Sequence, residues 1–120
     1  MFRVLIAASV LVAAAAASAQ QPRPQPQQQI SPQERARLRQ LGGALATCHG
    51  QIVRRDARSQ LTSARIVERA LAGCAAPEAA IRNALVRHMG AARASQALQA
   101  QRAHWRTSIG QMIARARAPR

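Results

Sequence analysis

From Ser31 onward the apolar residues of this 120-residue chain recur at steps of three and four, and no useful length alternates with period two. Such spacing gives helices with one buried face and leaves nothing from which to build a sheet. The clearest stripe is Leu38, Leu41, Leu45, Cys48 and Ile52. Ahead of it, Ser31-Pro32-Gln33-Glu34 places a capping serine, a proline at the first helical position and an acid where a capping box needs it. A first helix over about 32–55 follows. Gly42-Gly43 weakens it by about 1 kcal/mol per residue relative to alanine, and close approach by another helix is the expected return.

Polar residues 56–62 turn the chain. A second helix over about 63–74 carries Ile66, Val67, Ala70, Leu71 and Cys74 on one side. Pro77-Glu78 is expected to open a third, whose face is Ile81, Ala84, Leu85, His88 and Met89, with Gly90 ending it. A fourth, about 93–117, shows Leu98, Trp105, Ile109, Met112 and Ile113 at helical spacing. The expected fold is an all-α bundle of three to four helices over residues 31–117, with 118–120 as the frayed end of an RARAPR tail.

The segment before the bundle predicts export. Arg3 is followed by a charge-free run of 14 residues, Val4–Ala17, and Ala17-Ser18-Ala19 suits signal peptidase. That run is too short to span a bilayer comfortably, so residues 1–19 are expected to be a removed signal peptide with no transmembrane span left behind. Gln/Pro-rich residues 20–30 are expected to be a disordered leader. The predicted location is periplasmic or secreted.

In that setting Cys48 and Cys74, the only cysteines, are expected to form a disulfide. Intermolecular bonds, a redox pair or a metal site are the competing uses. If the first two helices form an antiparallel hairpin, Cys48 lies about 8 residues before the turn and Cys74 about 12 after it, at similar heights. Such a staple matters because Leu, Ile, Val, Met and Ala must supply the whole core. Trp105 is the lone aromatic after Phe2.

Charge is the other strong bias. All 18 basic residues are arginine, against four acids, for a net charge of +14. Anionic partners follow: an envelope polymer, a lipid headgroup or an acidic protein. Nucleic acid is not expected, because single-strand platforms need several aromatics and export removes the cytoplasmic targets. With 29 alanines and no lysine, the arginines are also what G+C-rich codons would produce, which would make them a solvated surface. Arg35, Arg37, Arg39, Arg54, Arg55 and Arg58 are the expected anion-binding patch.

Catalytic patterns are missing. The acids Glu34, Asp56, Glu68 and Glu78 are scattered, and no nucleophile elbow, phosphate-cradling loop or H-E-x-x-H occurs. A non-catalytic protein without cofactor is expected. One alternative is metal handling, with inward-facing His49 and His88 helped by Met89 and Met112. Another is a helical protein–protein module using the Gly42-Gly43 face, or the edge at Arg102, which projects onto the fourth helix's apolar stripe. There it must reach solvent, pair with an acid or stack on Trp105. The segment Leu98-Gln99-Ala100-Gln101-Arg102-Ala103-His104-Trp105-Arg106 resembles part of the LprI-like lysozyme-inhibitor family of small exported helical proteins. The family's cysteine arrangement and Leu-Asn-x-x-Tyr segment are missing here. Lysozymes are mostly basic and would be repelled by so positive a chain, so no residue role is carried over.

Overall fold

The computed structural model describes residues 30–119, which form an all-α bundle of four helices: α1 Pro32–Asp56, α2 Ser63–Gly73, α3 Ala75–Met89 and α4 Ala91–Arg117. The expected signal peptide (1–19) and all of the leader but Ile30 lie outside the described residues. Among the described residues no helix is long and apolar enough to cross a membrane.

The start of α1 follows from its first four residues. The Ser31 hydroxyl accepts from the Glu34 N–H at 3.2 Å, and the Glu34 carboxylate accepts from the Ser31 N–H at 3.4 Å. Two donors that no helical carbonyl can reach are thereby satisfied. Thr62 caps α2 in the same way through the Arg65 N–H.

The four helices make three rods. Helices α2 and α3 lie end to end, each packing on α1 and α4 while scarcely touching one another. Cys74 alone separates them, closing α2 and opening α3. It is bonded to Cys48 of α1, with 5.9 Å between the Cα atoms. Fourteen residues back from Cys48 stands Glu34, and fourteen on from Cys74 stands His88; these two are in contact at 2.9 Å. The jointed rod therefore keeps one antiparallel register along α1. Gly90, at φ +80°, turns the chain into α4, a backbone conformation that glycine adopts without steric cost. Helix α4 then runs parallel to α1.

Two apolar clusters fill the interior. Leu45, Cys74, Ile81 and Leu98 form one around the joint; Val53, Ile66, Ala70, Ile109 and Ile113 form the other, toward the α1–α2 turn. Ile52 and Trp105 touch both. The single aromatic ring thus bridges the two halves of the core.

Two local expectations are corrected, and two contacts were not anticipated. Helix α3 begins at Ala75, two residues ahead of Pro77. The first helical N–H groups have no intrahelical acceptor, so a proline at the third position forfeits no bond. No side chain or backbone approaches Gly42 or Gly43 within 4 Å of where a Cβ would stand. The close approach is at Gly73, where a Cβ would lie 2.7 Å from Ile52 Cδ1. Finally, the RARAPR tail is ordered through Arg117, which donates to the carbonyls of Ala57, Ser59 and Leu61 at 3.1, 3.2 and 2.6 Å.

Candidate anion-binding surface

All four acids are engaged. Asp56, 5% exposed, accepts from Arg55 Nε at 3.0 Å and from Arg69 Nε at 2.8 Å. The two guanidiniums hold its carboxyl below the usual carboxylate range. Glu78, also buried, accepts from Arg102 Nε at 2.7 Å. Glu68 pairs with Arg106, and Glu34 meets His88. Arg102 thus resolves its awkward position on the stripe by pairing rather than by stacking on Trp105.

These contacts leave most of the described arginines without a carboxylate, and the fold decides where those gather. The six expected from the sequence do not form one patch. Arg35, Arg37 and Arg39 stand in the first turns of α1, while Arg54, Arg55 and Arg58 stand at its far end. From Arg37 to Arg54 is 17 residues, about 26 Å along a helix. Sequence proximity to one helix was a poor guide, because a 25-residue helix is long compared with the reach of a side chain.

The second group is instead joined by residues the sequence reading left out. The α1–α2 turn brings Arg65 and Arg69 alongside. The parallel course of α4 delivers Arg115 and Arg117, fixed there by Arg117's hold on the turn carbonyls. Seven arginines, at 54, 55, 58, 65, 69, 115 and 117, stand toward this end, and the acids among them are Asp56 and, on α2, Glu68. Two helix C-termini also point here, with Arg54, Arg55, Arg115 and Arg117 in their last turns. The partial negative charge of those termini offsets part of the repulsion such crowding creates. The signal for Arg115 and Arg117 was present in the sequence, but using it required knowing that α2 and α3 act as one rod.

The histidines are placed apart. His49 is 3% exposed and lies edge-on to Trp105, ring centroids 6.2 Å apart. Burial pushes its imidazole below the ordinary value, and the Glu78 carboxylate offsets part of that shift. His88 lies against Glu34, 15 residues from His49 along α1 and hence about 22 Å away by helical rise. Met89 closes α3, whereas Met112 packs near the opposite end of the bundle. The expected His49–His88 pairing with methionine support is therefore corrected: these side chains share no site. Among the described residues no group of three or more His, Cys, Asp or Glu is placed to hold a metal.

No protein-family model matches the chain, and no curated protein or solved structure is significantly similar to it.

Proposed function

We propose that this chain is an exported, non-catalytic helical protein of the cell envelope that binds an anionic partner through the arginine end of its bundle. The observation that carries the reading is the convergence of Arg54, Arg58, Arg65 and Arg115 beside a carboxylate already shared by Arg55 and Arg69. Asp56 is held by Arg55 and Arg69, and Glu68 by Arg106, so none of those four guanidiniums has a carboxylate partner among the described residues. An extended anionic surface can meet several of them together, and exposed charges of this kind act over about 8–10 Å at physiological salt. The export half of the reading is supported by the formed Cys48–Cys74 bridge, which persists in oxidising compartments, together with the pattern of residues 1–19.

The test is sedimentation of the oxidised protein with phosphatidylglycerol vesicles at low and high salt, beside neutral phosphatidylcholine vesicles. Binding to the anionic vesicles that fades with salt is expected, and R54Q/R58Q/R65Q is expected to weaken it far more than R35Q/R37Q/R39Q. Equal loss in the two triple variants would remove the arginine end as the site. Cell fractionation with N-terminal sequencing checks export; a full-length chain in the cytoplasm would end that part.

A further inference from the structure

Between α3, α4 and the end of α2 runs an open groove of about 460 Å³, on the far side of the joint from α1. Its volume lies within the usual range for small-molecule sites, roughly 300–1,000 Å³. Small residues create it: Ala75 and Ala79 on α3 and Ser95 on α4 leave the space that larger side chains would fill. The two ends differ. Toward α2 the walls are Leu71 and Ala75, with the paired Glu78 and Arg102 on the rim and Leu98 between the ends. Toward the α3–α4 turn stand Arg82 and the Ser95 hydroxyl, with Gln99 beside them.

The charges on the rim are unequal. Arg102 is tied to buried Glu78, so that pair is neutral. Arg82 has no carboxylate partner among the described residues. The groove thus presents one uncompensated positive charge toward the α3–α4 turn and, at its other end, Leu71 and Ala75 beside the internally neutralised Arg102–Glu78 pair. Along α4 it extends from Ser95 to Arg102, about 10 Å. That is less than two helical turns, too short to seat a partner helix of ordinary length. A second copy of the chain would bring further positive charge to a positive rim.

We propose that this groove binds an amphiphilic monoanion, a medium-chain fatty carboxylate, with its head on Arg82 and Ser95 and its alkyl chain along Leu98 toward Leu71 and Ala75. The site is separate from the arginine end and stands or falls independently of it.

Titration of the oxidised full chain with decanoate, below the concentration at which decanoate forms micelles, is the test, read by amide chemical shifts in two-dimensional NMR. Saturable shifts at Ala79, Ser95, Leu98 and Gln99 are expected. R82Q should weaken decanoate by about tenfold, as loss of a charge-assisted contact implies, while leaving the weaker binding of decanol unchanged. A79L should abolish both by filling the groove; if it fails to keep its helical circular dichroism, R82Q alone decides. Non-saturable shifts, shifts centred on the α1–α2 turn, or equal decanoate affinity in wild type and R82Q would each overturn the proposal.

Discussion

The fold alters the titration of His49 and of Asp56, and they act in separate windows. His49 is held neutral by burial, so its folded-state affinity for protons lies below the ordinary value near 6.5. Below that value the unfolded chain takes up a proton that the folded chain refuses, so stability falls as pH drops from about 6.5. H49Q should flatten this part of a urea-unfolding profile taken across pH 5–7; an unchanged slope would argue that the imidazole is solvated. Asp56 behaves as a depressed carboxylate: its contribution is complete above 3.8 and is lost as pH falls through its lowered folded value. D56N should remove that acid-side loss. Glycines supply a third contrast. G42A and G43A place a methyl in open space and should each stabilise by about 0.5–1 kcal/mol. G73A meets only the mobile Cδ1 end of Ile52, which can turn aside, so it should gain less than G42A or G43A. Equilibrium denaturation checks all three.

Individual helices were largely readable before the structure, and their junctions less so. The Ser31 cap, the Leu38–Ile52 stripe and the break at Gly90 use local signals, and α1 and the end of α3 fall where those signals put them. Cys74 carries no such signal. A one-residue joint between collinear helices looks, in sequence, like an ordinary helix end followed by a proline start, which is why α3 was expected two residues late. The fourth helix ends at Arg117 as its spacing predicts, but the contact that Arg117 makes was not legible. Nothing local to Arg117 announces that three carbonyls lie opposite it, because its partners are 56–60 residues away. R117A should therefore cost about 1 kcal/mol, a modest figure because the contacts are exposed. Amide exchange should rise at residues 57–62 without rising at Leu45 or Leu98; uniform protection in R117A and wild type would mean the contact does not order the turn.

For the whole molecule, the sequence indicated how much charge there is but not where it concentrates. Arg35, Arg37 and Arg39 look denser in the linear chain, yet they stand at the opposite end of the bundle, where Glu34 of α1 meets His88 of α3. The other end gains because α1 and α4 both finish there on arginines, and the α1–α2 turn brings in Arg58, Arg65 and Arg69. The staple belongs to this scale too. Closing a loop of 26 residues restricts the unfolded chain by roughly 3–4 kcal/mol. Reduction should lower the urea midpoint by a corresponding amount and leave the helical signal of the still-folded protein intact. A midpoint indifferent to reductant would show that packing around Trp105 is sufficient without the bond.

The matched direction of α1 and α4 has a mechanical corollary. Load applied between Ile30 and Pro119 pulls the outer rods past one another lengthwise instead of unzipping them from one side. The covalent tie to the jointed rod would keep the residues between Cys48 and Cys74 slack while everything else extends. Stretched by optical tweezers, the oxidised form should come up roughly 80–90 Å shorter at full extension than the reduced form, the contour of 26 residues at about 3.3–3.6 Å each less the 5.9 Å the bridge itself spans.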